Sequence, residues 1–98
     1  MPSAKIGEYV ARRFFIGGYV QGVGFRYFAL RASARHQVRG YVKNLADGRV
    51  EVLAEGPAKD VDEFRMDLAA GPTHSDVTGV EEIVVEPTGR YSAFRIER

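Results

Sequence analysis

Residues 14–26 read FFIGGYVQGVGFR, and the change of pattern inside this stretch decides the fold. Aromatic and β-branched residues on both parities from Tyr9 to Val20 predict a central β-strand with two apolar faces. Gly22 and Gly24 then end the strand. The apolar residues that follow have helical spacing, and they predict a helix from Phe25 to about His36.

The rest of the chain continues this alternation of strands and helices. Charged and apolar residues alternate from Val50 onward, which predicts a hairpin around a turn at residues 44–48 with one face exposed to water. Pro57 and Gly71 bound a second amphipathic helix. The predicted strands cover residues 9–20, 38–43, 50–55, 77–85 and 94–96, and the predicted helices cover residues 25–36 and 57–70.

This order predicts an α+β fold of the ferredoxin-like βαββαβ type, or split βαβ sandwich. Its antiparallel sheet carries two helices on one face and gains a short extra C-terminal strand. We expect residues 1–8 to form a flexible N-terminal arm and residues 9–98 to form a single domain. In this topology the first two strands are parallel with the third between them, so their C-terminal ends lie roughly 10 Å apart on one sheet edge.

Composition narrows the possible partners and chemistry. The 98 residues include 14 Lys and Arg against 13 Asp and Glu, and there is no cysteine. A net charge of +1 provides no field for binding nucleic acid or a membrane, so we expect neither partner. The missing cysteines exclude disulfides and thiolate nucleophiles. Because the segment Met1–Arg13 lacks the apolar core of a signal peptide, we expect a cytoplasmic protein. We also expect a monomer, an expectation that no sequence motif addresses.

The composition of the glycine turn fits two readings equally well: an ordinary strand-to-helix turn with Arg26 on the solvated surface, or an anion site. Glycine reaches the backbone geometry that aims consecutive N–H groups at one point, and a helix N-terminus adds positive potential. Arg26 opposes the helix dipole there, a penalty that a bound anion would reverse. Two nucleotide motifs fail, because Val23 stands where Walker A needs lysine and Tyr27 stands at the third glycine of the dinucleotide fingerprint.

The second segment of interest runs from Gly40 to Gly56. Taken alone, Asn44 and the pair Asp47-Gly48 are ordinary hairpin-turn residues. The predicted topology, however, places Asn44 at the end of the second strand, beside the glycine turn. Both readings of Asn44 therefore remain open from the pattern alone.

Together, residues 16–26 and 40–56 resemble the two motifs of the acylphosphatase family. The second motif is matched at Gly40, Asn44, Gly48, Val50 and Gly56. The resemblance covers nearly all of residues 14–98, and Tyr19 departs from it where the family often has a basic residue. It implies hydrolysis of acyl phosphates to a carboxylate and inorganic phosphate. It also implies a phosphate-binding arginine at Arg26, an asparagine that positions water at Asn44, and a phosphate-binding loop of Gln21, Gly22, Val23, Gly24, Phe25 and Arg26.

The resemblance implies a small-molecule acyl phosphate substrate, with inorganic phosphate as product and competitive inhibitor. We expect no cofactor and no metal, because His36 and His74 lack partners at ligand spacing and the acidic residues of the second helix suit a solvated face. Two alternatives stand beside this reading. An RNA-recognition motif shares the element order, but its aromatic signature belongs on the third strand. The other alternative is a non-catalytic or carbamoyl-phosphate-handling version of the fold, like the acylphosphatase-like domain of hydrogenase-maturation proteins.

Overall fold

The computed structural model of the protein describes residues 8–98. The strands are β1 (Tyr9–Tyr19), β2 (Arg39–Asn44), β3 (Val50–Pro57), β4 (Asp76–Val85) and β5 (Phe94–Glu97), and the helices are α1 (Phe25–His36) and α2 (Ala58–Ala70). The predicted element order is confirmed. The predicted arm lies outside the described residues except for Glu8, whose carbonyl oxygen accepts a hydrogen bond from the Ala58 amide at 2.8 Å.

The five strands form one sheet in the order β4-β1-β3-β2-β5. β1 is antiparallel to both β3 and β4, and β2 is antiparallel to β3. The ferredoxin-like class is thus confirmed, with one difference: β5 pairs parallel to β2, so the sheet is mixed. β4 runs opposite to β1 and β2, whereas β5 runs in the same direction as β2. β5 therefore starts at the end of the sheet where β4 stops.

The hydrophobic core lies between the sheet and the two helices. Phe14 and Ile16 of β1 are fully buried there together with Phe25 of α1 and Phe64 of α2. Burial of side chains of this size stabilises the fold by about 1.5–3 kcal/mol each. The predicted apolar stripe of α2 is confirmed, since all four of its members are buried: Ala58, Val61, Phe64 and Leu68.

The opposite face of the hairpin is less exposed than the alternating pattern predicts. Glu55 is completely buried, although it was expected on a water-exposed face. The segment between β4 and β5 covers it: Thr88 donates through its amide at 3.0 Å and its hydroxyl at 2.9 Å, and Gly89 donates through its amide at 3.2 Å. The prediction of a wet face is therefore wrong here, because a distant segment shields the carboxylate and supplies its hydrogen bonds.

The sheet also brings the ends of β1 and β2 together. Ile16 and Asn44 both pair with Val50, one on each side of β3. The C-terminal ends of β1 and β2 therefore lie at the same end of the sheet. The glycine turn after β1 and the hairpin turn after β2 lie next to each other at this end of the sheet.

Candidate active site

The turn after β1 depends on two glycines with left-handed backbone geometry. Gly22 has φ 76° and Gly24 has φ 78°, and Gly24 is the N-cap of α1. A Cβ atom at either position would meet no atom within 4 Å. Backbone conformation, and not lack of space, is therefore what requires glycine at both positions.

The same turn presents unpaired amide groups. Within residues 8–98, no backbone N–H from Gly22 to Tyr27 donates to a carbonyl in a turn or cap, whereas Phe28 N donates to Gly24 O at 3.0 Å. The first turn of α1 contains no acidic residue, and no side chain caps it. These amides and the helix dipole together make a site suited to an anion.

Arg26 lies in this first helical turn. Its side chain is half-buried, and it makes no ion pair or side-chain hydrogen bond to any other residue between 8 and 98. A guanidinium carries five donors in a planar fork. Arg26 therefore adds an unused cation to the positive end of the helix.

Asn44 is the last residue of β2, as the topology predicts. A cavity of about 210 Å³ lies between it and the glycine turn. The cavity is lined by Val20, Gly22, Gly24, Phe25, Arg26, Tyr27 and Asn44. The structure thus brings Arg26 and Asn44 into one cavity, although 18 positions separate them in the sequence.

Two members of the predicted loop face elsewhere. The Val23 side chain packs against the hydrophobic core, and the Gln21 side chain reaches the turn after β2. Sequence reasoning missed Val20 and Tyr27 as lining residues. Their only signal is their position directly beside the predicted loop and beside Arg26.

The two histidines lie away from this cavity. His36 contacts the carboxylates of Asp67 and Glu63 on α2, partners that sequence spacing did not indicate because they are distant along the chain. The described part of the chain contains no group of three or more residues arranged to hold a metal ion. Asp67 and Glu63 are therefore part of a helix–helix contact, and not simply members of a solvated face.

A larger groove of about 710 Å³ lies elsewhere on the molecule, against α1 and the starts of β2 and β5. Its lining includes Tyr9, Arg31 and Arg39 but none of the residues proposed from the two motifs. The residues predicted from the two motifs therefore lie outside this larger groove. No helix between residues 8 and 98 has both the length and the apolar character that crossing a bilayer requires.

Comparisons with known proteins agree on one family. A sequence model of the acylphosphatase family matches residues 12–96. The chain is 45% identical over 96 residues to the acylphosphatase of Solibacter usitatus, an alignment that spans 98% of this chain and 99% of the relative. The crystal structure of Bacillus subtilis acylphosphatase superposes with a TM-score of 0.87 at 36% identity, covering 91% of this chain and 99% of that one.

A second kind of protein contains a similar unit. Full-length HypF, solved in a phosphate- and nucleotide-bound form, superposes with a TM-score of 0.83 at 26% identity. The match covers 98% of this chain but only 13% of HypF. The chain therefore corresponds to whole small relatives and to a minor part of HypF.

Proposed function

The chain belongs to the acylphosphatase family, and we propose that it binds its substrate's phosphoryl group on Arg26 and the loop Gln21–Arg26 while Asn44 positions the attacking water. Membership makes the protein an enzyme, a hydrolase of acid anhydrides that acts on acyl phosphates. The single observation that carries the proposed mechanism is the cavity shared by Arg26, the glycine turn and Asn44.

Electrostatics at the start of α1 favour a phosphoryl group in this cavity. An arginine in the first turn of a helix opposes the helix dipole by about 0.3–1 kcal/mol. A bound phosphoryl group reverses this cost, because its oxygens accept hydrogen bonds from the guanidinium and from the free loop amides. The charge that develops during phosphoryl transfer then meets donors that are already oriented.

Asn44 has the chemistry to place water but not to remove its proton efficiently. Its side-chain amide both donates and accepts hydrogen bonds, and no residue within 8–98 occupies it. The leaving carboxylate has a conjugate acid with a pKa of about 4–5 and needs no proton donor. We propose that an oxygen of the substrate's own phosphoryl group takes the proton of the attacking water, so that positioning and charge neutralisation account for the reaction without a general acid or a metal.

The proposal is tested by comparing Arg26→Gln and Asn44→Ala in benzoyl phosphate hydrolysis and in phosphate binding by calorimetry. Arg26→Gln should weaken phosphate binding by about 10- to 100-fold, the value of a charge-assisted hydrogen bond, and abolish most turnover. Asn44→Ala should retain phosphate affinity but lose about 100-fold or more in kcat. Arg31→Gln, an exposed arginine further along α1, is the matched control and should match the wild type.

Each of the two variants has its own outcome that would contradict the proposal. Wild-type turnover in Asn44→Ala would make Asn44 an ordinary turn residue. Unchanged phosphate affinity in Arg26→Gln would move the phosphate away from α1. Assays with and without a chelator test the metal-free mechanism, which would be wrong if activity were lost with chelator and restored by magnesium.

A further inference from the structure

The Gln21 side chain joins the turn after β1 to the turn after β2. Its Nε2 donates to the carbonyl oxygen of Leu45 at 2.8 Å and to the carbonyl oxygen of Arg49 at 2.9 Å. A glutamine amide has two N–H groups, so each carbonyl receives one. Both donors of this side chain are therefore used between segments that are distant in the sequence.

The two acceptors are the carbonyls that close the hairpin turn. Leu45 N donates to Arg49 O at 2.8 Å, and Gly48 N donates to Leu45 O at 3.2 Å. With Gln21 added, each carbonyl accepts two hydrogen bonds, which is the capacity of its two lone pairs. Gln21 thus bonds to the same two carbonyls that close the turn, and these bonds fix where the turn lies relative to the glycine loop.

Asn44 directly precedes this turn. Its backbone pairs with Val50, but its side chain forms no hydrogen bond to another residue in the described stretch 8–98. The position of the Asn44 side-chain amide at the cavity therefore depends on β2, which precedes it, and on the hairpin turn held by Gln21, which follows it. Displacement of a catalytic group by about 1 Å can cost about 100-fold in rate.

We infer that Gln21 is a positioning residue, whose two side-chain hydrogen bonds hold Asn44 at its working distance from the phosphate loop. This inference rests on the proposed function, in which Asn44 places the attacking water. Gln21 thereby acts through the hairpin turn, while its backbone belongs to the phosphate-binding loop. The Gln21 side chain is not one of the proposed phosphate ligands, which are the Arg26 side chain and the loop amides.

The experiment uses Gln21→Met, which keeps the side chain's length but removes both donors, alone and combined with Asn44→Ala. Gln21→Met should lower kcat by about 10- to 100-fold and leave phosphate affinity within about threefold of wild type. Combined with Asn44→Ala it should cause no further loss of kcat, because the two residues act on the same water. Gln21→Glu is a second variant of the same shape; its ionised carboxylate cannot donate and is repelled by both carbonyl oxygens, so it should lower kcat at least as far as Gln21→Met.

Thr88→Val is the control, because it also removes a side-chain hydrogen bond, to Glu55 at the opposite end of the sheet. It should change stability in urea without changing kcat. A folded Gln21 variant with wild-type kcat, or losses that multiply in the double variant, would overturn the inference. Wild-type turnover in Asn44→Ala alone would instead contradict the proposed function, so the two failures are distinguishable.

Discussion

Nε2 of His36 lies 2.7 Å from Oδ2 of Asp67, so a hydrogen bond joins the last turn of α1 to α2. Arg35 donates to the same oxygen at 3.0 Å, and Nδ1 of His36 lies 3.5 Å from a Glu63 oxygen. Basic side chains also suit the negative end of a helix dipole, where His36 and Arg35 lie. The contact between the two helices therefore depends on an ionised Asp67.

Asp67→Asn should reduce stability at neutral pH but not in acid. Partial burial by itself raises the pKa of Asp67, but the hydrogen bonds from His36 and Arg35 together outweigh it, and the pKa lies below its ordinary value. A lowered pKa stabilises the fold above the unfolded value of about 3.9, and this stabilisation is lost as the pH falls through the folded value. Urea unfolding should show a wild-type advantage of up to about 1 kcal/mol near pH 6 that shrinks below about pH 4.

The control for this prediction is Asp62→Asn. Asp62 is exposed on the same helix and forms no ion pair with another residue in the range 8–98. It should follow the wild-type pH dependence. A pH-independent difference between wild type and Asp67→Asn would contradict the assignment.

Tyr41→Phe should remove a loss of stability at alkaline pH. Burial of Tyr41, followed by its hydrogen bond to the Glu51 carboxylate, raises the pKa of its hydroxyl far above the usual value. A raised pKa stabilises the fold below the unfolded value of about 10 and loses that contribution as pH rises towards the folded value. The wild-type advantage over Tyr41→Phe should therefore fall by about 1.4 kcal/mol per pH unit above about pH 10. Urea unfolding measures this slope, and the exposed Tyr19→Phe should not show it.

Glu55→Gln should destabilise the protein without changing kcat. The carboxylate accepts three hydrogen bonds from Thr88 and Gly89, and an amide in its place presents N–H groups to some of those donors. The expected loss is about 1–3 kcal/mol in urea unfolding. Turnover should persist because Glu55 pairs with Arg39, at the opposite end of β2 from Asn44. The exposed Glu86→Gln should be neutral, and a kcat loss in folded Glu55→Gln would link this end to catalysis.

Inorganic phosphate should compete with the acyl phosphate substrate. In the proposed site both would present the same group to Arg26 and the loop amides, so added phosphate should raise the apparent KM and leave kcat unchanged. Initial rates with benzoyl phosphate at several phosphate concentrations check this, with sodium chloride at equal ionic strength as the control. A fall in kcat at constant KM would place phosphate at a different site.

Sequence patterns predict most of the fold because each element has its own signal. The glycines at 22 and 24 separate β1 from α1, and Pro57 and Gly71 bound α2 within one residue. The meeting of Arg26 and Asn44 follows from the element order alone, since a crossover helix makes β1 and β2 parallel.

Features that depend on contacts between distant segments could not be predicted in this way. The burial of Glu55 depends on residues 86–93, and the charged pattern of β3 by itself indicates an exposed face. The Gln21 side chain donates to two backbone carbonyls. Every residue has such a carbonyl, so residue type does not indicate which of them accept these bonds. The His36–Asp67 pair likewise spans 31 positions.

The outer position of β4 has a consequence for behaviour at high concentration. Within residues 8–98 no strand pairs with its free side, so alternate residues along this ten-residue strand offer backbone donors and acceptors to other molecules. Such an edge is a template for aggregation, and Val84 within this strand is 71% exposed. Glu81 and Glu82 place charges in the middle of the strand, and Pro87 follows its end. Charged residues and proline at these positions discourage edge-to-edge association. Substitution of these two glutamates should therefore favour association of the enzyme at high concentration, although neither residue lines the cavity beside the glycine turn.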